Sequence, residues 1–204
     1  MRIKIATVGE TVLRTKARPL TADEIQSAAT RELIEHMRET LRDASGVGLA
    51  APQIGLPLQL AVIEDKTEYQ TAFSETELAE RGRRPVPFHV IANPRIHLLS
   101  PPERNFFEGC LSLPGFSAIV PRSRSVAVEC LNEEGMPVRI EAEGWYARIL
   151  QHEIDHLYGT LYIDRMLSRS FCSLDLYNRY WKAKSIGEVL SELAIPSENM
   201  GTGM

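Results

Sequence analysis

One segment limits the fold more than any other. From residue 144 the chain reads Gly-Trp-Tyr-Ala-Arg-Ile-Leu-Gln-His-Glu-Ile-Asp-His-Leu-Tyr-Gly. The pattern predicts a helix over Gly144–Leu157, with Gly159 just past its end. Ile149, Leu150, Ile154 and Leu157 are apolar and Trp145 and Tyr146 open the segment, so this helix belongs in the middle of the molecule with other elements packed around it. It carries His152 and His156 at i and i+4, on one face and about 6 Å apart along the axis. Buried imidazoles need partners, and this spacing lets both reach one metal ion. Glu153 projects about 100° around from His152. A carboxylate there can flank an ion without binding it and exchange protons with a reacting group. Only five histidines exist in the 204 residues, so H-E-x-x-H is rare by chance. The expectation is a metal-dependent hydrolase.

The third ligand decides which kind. Metallopeptidases with this motif take a downstream His or Glu. The longer pattern that needs histidine at position 162 finds Tyr162 there, which leaves Glu188 and Glu192 as downstream carboxylates. Upstream, Glu108-Gly109-Cys110-Leu111-Ser112-Leu113-Pro114 offers Cys110. His152, His156 and Cys110 would leave one coordination position open, as a catalytic site requires. A lone cysteine is more often a small buried hydrophobe, the reading given to Cys130 and Cys172. On the residues alone three alternatives stand: a Cys110-ligated hydrolase centre, a zinc peptidase with another third ligand, and a structural metal-binding module closed by a fourth ligand such as Cys130.

A third segment, Gly46-Val47-Gly48-Leu49-Ala50-Ala51-Pro52-Gln53-Ile54-Gly55, begins like a dinucleotide-binding turn. Such a turn needs a strand before it and a helix after it. Here a helix precedes it and Pro52 interrupts the stretch after it. A plain helix stop and turn is the simple alternative. The functional reading is a site wall, where small residues admit close backbone approach and the Gln53 amide can donate to a developing oxyanion.

The remaining chain reads as one α+β domain, with small antiparallel or mixed sheets around the central helix. Thr21 and Glu24 form a capping box for a helix whose apolar face is Ile25, Ala29, Leu33, Met37 and Leu41, ending near Gly46. Strands are expected at Leu58–Ile63 and at Phe88–Ala92, the latter ended by Asn93-Pro94. A hairpin joins Val126–Leu131 to Val138–Ala142 through Asn132-Glu133-Glu134-Gly135. Glu64–Pro87 reads as a long surface loop with a short helix near Glu75–Arg81, and Ser173–Leu193 as a helical tail with a break at Gly187. A net charge of −4 argues against a dedicated nucleic-acid binder. Three sparse cysteines do not read as a disulfide framework, and no run approaches the roughly 20 apolar residues of a membrane span. A cytoplasmic protein is expected, with no membrane partner and no direct nucleic-acid motif.

Gly46–Gln53, Glu108–Ser112 and Gln151–Leu157 together, in this order, resemble the GxGLAAxQ, EGCLS and QHExDHL motifs of peptide deformylases. Gly9, Leu13, Arg14 and Ala17 fit as well, and the resemblance runs from about residue 5 to 166. It implies removal of the formyl group from the N-terminal methionine of new polypeptides, with release of formate. It implies one divalent metal ion on Cys110, His152 and His156, commonly Fe(II), with zinc, nickel or cobalt able to take its place. Glu153 would be the acid/base, and Gln53 with the backbone N–H of Leu111 would stabilise the oxyanion. Gly46, Val47, Gly48, Glu108 and Gly109 would pair with an N-formylmethionyl peptide like an added strand. Trp145, Arg148 and Ile149 would border the methionine pocket. The chain departs from compact bacterial members in its longer 64–87 segment, in Ser117 where arginine is common, and in Arg148 where an apolar residue is frequent. Its Trp145–Leu150 run is closer to the organelle-type branch, so a processed organelle enzyme stands beside the cytoplasmic reading. Residues 1–170 would form the catalytic domain and residues 171–204 a helical extension and tail. Family members can use such a segment on the ribosome; here Arg165, Arg169, Arg179, Lys182 and Lys184 oppose Asp175, although a solvated face is the simpler account. The apolar run Phe171–Trp181 is a further candidate surface for a partner or second copy.

Overall fold

The computed structural model describes residues 3–71 and 73–196; the end of the expected tail, residues 197–204, and Ala72 in the expected loop lie outside the described residues. Among the described residues, eight strands form two antiparallel sheets. The first has the order β1-β2-β3-β6-β7 and the second β4-β5-β8. The strands are β1 (Gly48–Ala50), β2 (Leu60–Asp65), β3 (Val86–Leu98), β4 (Pro102–Cys110), β5 (Leu113–Ser123), β6 (Ser125–Leu131), β7 (Pro137–Glu143) and β8 (Cys172–Ser173). The helices are α1 (Ala22–Gln26), α2 (Ala28–Asp43), α3 (Glu75–Arg81), α4 (Gly144–Leu157), α5 (Leu174–Leu176) and α6 (Ile186–Glu192).

The strand alternation of β2 explains the layering. Ala61 and Ile63 pack with Ile149, Leu150, Ile154 and Leu157 of α4, while Leu60 and Val62 pack with Met37 and Leu41 of α2. A strand with side chains alternating to two faces is thus covered by a helix on each. The central helix keeps its expected bounds and the expected hairpin forms as β6 and β7, paired from Ser125↔Glu143 to Leu131↔Pro137.

Several expectations are corrected. The first helix is two helices. Thr21 and Glu24 do make the capping box, but Ser27 leaves helical geometry and its Oγ accepts from the Thr30 N–H at 3.1 Å, capping α2. The apolar rhythm runs through the break because Ile25, Met37 and Leu41 reach the same core. β3 does not stop at Asn93-Pro94. Asn93 takes a left-handed φ of 51° and the register shifts between Ala92 and Arg95, a bulge that lets the strand continue. The Asn93 amide fixes that bulge, accepting from Leu20 N–H at 2.9 Å and donating to Leu20 C=O at 2.8 Å.

The segment 64–87 is more than a surface loop. β2 extends to Asp65, and buried Arg83 returns to it with Nε and Nη2 each 2.8 Å from a carboxylate oxygen. Within it α3 lies where a short helix was expected. In the tail, α5 runs into a π-helical turn at Tyr177–Trp181, and the break falls before Ser185, not at Gly187. Ser185 and Glu188 form a capping box that restarts the chain as α6, so Gly187 lies inside a helix. No helix among the described residues is long and apolar enough to cross a membrane.

Candidate metal centre and cleft

Cys110 is the last residue of β4, and His152 and His156 stand on successive turns of α4. Packing of the second sheet against α4 brings their ligand atoms within 4.8 Å of one another. Cys110 Sγ lies 3.3 Å from His156 Nε2. His152 Nδ1–H donates to Glu108 Oε2 at 3.1 Å, which fixes the ring tautomer and leaves Nε2 for the cluster. Glu108 is itself clamped. Arg122 donates to both its oxygens at 3.0 Å, and Arg148 Nη1 donates to Oε1 at 2.6 Å. Arg122 also reaches Asp155 at 2.5 Å, and Asp155 accepts twice from Arg165 at 2.8 Å.

The electrostatics follow from burial and partners. Burial raises the Cys110 thiol, but the adjacent imidazoles outweigh it and hold the thiol well below its usual value, favouring the thiolate. Burial lowers His152, but Cys110 and Glu108 carry it well above the usual imidazole range. Glu108 is pushed up by burial and pulled further down by Arg122 and His152, ending far below the carboxylate range. Glu153 behaves oppositely. Burial dominates over the two histidines and pushes its carboxyl up to about 7.

Gln53 sits in a buried 3-10 turn, Ala51–Ile54, directly after β1. Its Oε1 accepts from the Ala50 N–H at 2.8 Å, which turns the amide nitrogen toward the centre. Nε2 donates to Ser112 Oγ at 3.2 Å and lies 3.5 Å from Cys110 Sγ. Gly48 explains the small-residue loop. A Cβ on Gly48 would overlap the Glu153 carboxylate. A Cβ on Gly46 would come within 2.8 Å of Leu41 Cδ1 and 3.0 Å of Leu111 Cδ1.

These groups line a cleft of about 500 Å³. It is lined by Ser45–Gly48, Phe107–Leu111, Trp145, Arg148, Ile149, His152 and Glu153. β1 and β4 are each the last strand of their sheet, so the cleft runs between two sheet edges. The site residues that the resemblance implies therefore converge on one place: Gln53, Leu111, Gly46, Val47, Gly48, Glu108, Gly109, Cys110, Trp145, Arg148, Ile149, His152, Glu153 and, beside them, buried His156.

Two of the expected roles change in character. The Glu108 carboxylate is fully engaged by Arg122, Arg148 and His152, so only its backbone remains for a peptide. Arg148 is committed in the same way, to Glu108 and to the Val120 carbonyl at 3.0 Å. Ser117 is buried and donates to the Glu108 carbonyl at 2.9 Å. The alternative ligands lie elsewhere. Glu188 caps α6, Glu192 pairs with Lys184, and Cys130 is buried in β6. Tyr162 stacks near His152, ring centroids 6.4 Å apart, and belongs to no metal-binding group among the described residues. Sequence reasoning missed Arg122 and Asp155. The one available signal was an arginine at the end of the apolar run Ala118–Val120 and an aspartate between the two motif histidines.

One thiol and two imidazole nitrogens form a donor set suited to zinc or iron. Among the described residues, Glu153 Oε2 is buried without a hydrogen-bond partner. Residues 3–171 match the family model described as polypeptide deformylase, and the chain belongs to that family. It is 43% identical over 171 residues to peptide deformylase 1A, chloroplastic, of Solanum lycopersicum, covering 84% of this chain and 62% of the tomato protein. It is 41% identical to peptide deformylase of Leptospira biflexa, covering 81% of this chain and 88% of that one. Among solved structures, the Met-Ala-Ser-bound class I type b peptide deformylase of Acinetobacter baumannii superposes with a TM-score of 0.70 at 30% identity, covering 81% of this chain and 99% of that one.

Proposed function

We propose that this protein removes the formyl group from N-formylmethionyl peptides, releasing formate and a free amino terminus. The observation that carries the reading is the Cys110, His152 and His156 cluster with Glu153 and Gln53 on the wall of a cleft between two sheet edges. Cys110, His152 and His156 would hold one divalent ion, Fe(II) in the cell, with zinc, nickel or cobalt as replacements. That ion supplies Lewis-acid chemistry, lowering the pKa of water toward roughly 7 and polarising a carbonyl.

The protein's own groups do the rest. A peptide entering the cleft adds its backbone to Gly46–Gly48, leading into β1, and to β4 at Glu108–Gly109. Trp145 and Ile149 border the methionine side chain; Arg148 backs that wall while clamping Glu108. Glu153 takes a proton from the attacking water as the carbon–oxygen bond forms. Its carboxyl, pushed up to about 7, can hold that proton near neutral pH and then release it. It delivers the proton to the amide nitrogen as the carbon–nitrogen bond breaks, and the remaining hydroxyl proton passes to the released amine, so water and formyl amide become formate and ammonium. Gln53 Nε2 and the Leu111 N–H stabilise the oxyanion. Glu108 is a positioning residue that orients His152.

Residues 1–170 would be the catalytic unit and 171–204 an extension, with its basic residues a candidate contact for a ribosome. The enzyme would work where synthesis begins with formyl-methionine, in a bacterial cytoplasm or an organelle. The test is formate release from formyl-Met-Ala-Ser by protein purified without oxygen. Glu153→Gln is expected to lower kcat by about 10² to 10⁴ while metal content stays at one ion per chain. Cleavage of internal peptide bonds without formate release would favour the zinc-peptidase alternative, and a bound metal with neither activity the structural module.

A further inference from the structure

The extension does not hang free of the cleft. β8 pairs antiparallel with β5, placing Phe116 opposite Ser173 and Ser117 opposite Cys172. Phe116 and Phe171 stack with ring centroids 5.1 Å apart and planes 9° from parallel. Phe107 on β4 meets Tyr177 with centroids 4.8 Å apart. These contacts hold a strap, residues 171–177, against the second sheet. The strap delivers Leu174 to the cleft wall, where it joins Phe107 and Phe116. Leu174 lies past the residues matched to the family.

Leu174, Phe116 and Phe171 are each 40–41% exposed, so this is an uncovered apolar shelf. It is continuous with the cleft that holds Cys110 and His152, and that cleft is larger than a methionine side chain fills. Water-exposed apolar side chains at the mouth of a peptide-binding groove gain by covering an apolar group of the bound peptide.

We propose that the C-terminal strap is a specificity element: Leu174 and Phe116 bind an apolar side chain at a residue just downstream of the formyl-methionine. The proposal rests on the deformylase reading. Its occupant is the nascent peptide itself, because the shelf opens from the peptide's own cleft. Formate release is measured across two peptide panels, formyl-Met-X-Ser and formyl-Met-Ala-X, with X as Leu, Phe, Ser or Asp. At one of the two positions Leu and Phe should exceed Ser and Asp by roughly tenfold in kcat/KM, the discrimination a few buried methylenes supply. Leu174→Ser should collapse that ratio. Leu176→Ser, on the same strap but outside the cleft lining, should preserve it and shows that the strap still folds. A flat panel at both positions, or a preference that survives Leu174→Ser, would overturn the proposal. No formate from any peptide would instead overturn the deformylase reading on which it stands.

Discussion

Gln53 shows how a single side chain is made ready for chemistry. Its carbonyl oxygen is spent on the Ala50 N–H and its amide nitrogen faces Ser112 and Cys110, so its donor is aimed before any substrate arrives. Removing one such donor costs roughly 10² to 10³ in kcat. Gln53→Ala should therefore lower kcat on formyl-Met-Ala-Ser by about 10² with near-unchanged KM, read from steady-state kinetics. Gly48 makes the complementary point about space. Its missing side chain is where the Glu153 carboxylate sits. Gly48→Ala should abolish most formate release while circular dichroism and metal content stay native; full activity would show that Glu153 can move without consequence. Both residues were legible in the sequence as a small-residue loop with an amide. Arg122 was not, because its place at the end of the apolar run Ala118–Val120 does not reveal its partners, Glu108 and Asp155, 14 and 33 residues away.

At the scale of elements, the helices were easier to read than the strands. α4 announced itself through its apolar pattern and kept its bounds, because a helix's signals lie within its own residues. β4 and β5 were not foreseen, although together they carry Glu108, Cys110 and Arg122. β4 reads Pro-Glu-Arg-Asn-Phe-Phe-Glu-Gly-Cys, with no period-2 alternation, and it is a strand because β5 supplies its hydrogen bonds. The 64–87 segment was charged enough to pass for a solvated loop, yet its two ends are tied by Asp65 and Arg83 at 0% and 6% side-chain exposure. Arg83 also lies over the Trp145 ring, 5.1 Å from its centroid, so the tie reaches the cleft wall. Asp65→Asn leaves that guanidinium buried without its counter-charge. It should cost about 3–5 kcal/mol, measured by urea unfolding; a loss under about 1 kcal/mol would mean that water or another acid reaches Arg83.

Across the whole molecule, the metal centre is a joint. Cys110 comes from the second sheet, while the two histidines come from the helix that the first sheet packs upon. An ion bound there links the two bodies of the fold and stabilises the folded state by mass action, about 2.7 kcal/mol at a hundredfold excess over Kd. Stripping the ion with a chelator should lower Tm by several degrees and restoring Fe(II) or zinc should raise it again. In Cys110→Ser the chelator-dependent shift should shrink markedly; an unchanged shift would place the ion elsewhere.

The sequence by itself determined the parts whose physics is local: the apolar helix and its two histidines one turn apart, the cap at Thr21, the hairpin turn, and the three motifs that mark the family. Tertiary structure alone decided which of those parts meet. It grouped Cys110, rather than Cys130, Glu188 or Glu192, with the two histidines, it surrounded Glu108 with two arginines and a histidine, and it folded the strap back so that Leu174 faces the cleft. Ligand sets, buried charge networks and cleft walls are assembled from residues far apart in the chain, and their energies depend on distance and burial, which no local pattern of residues encodes.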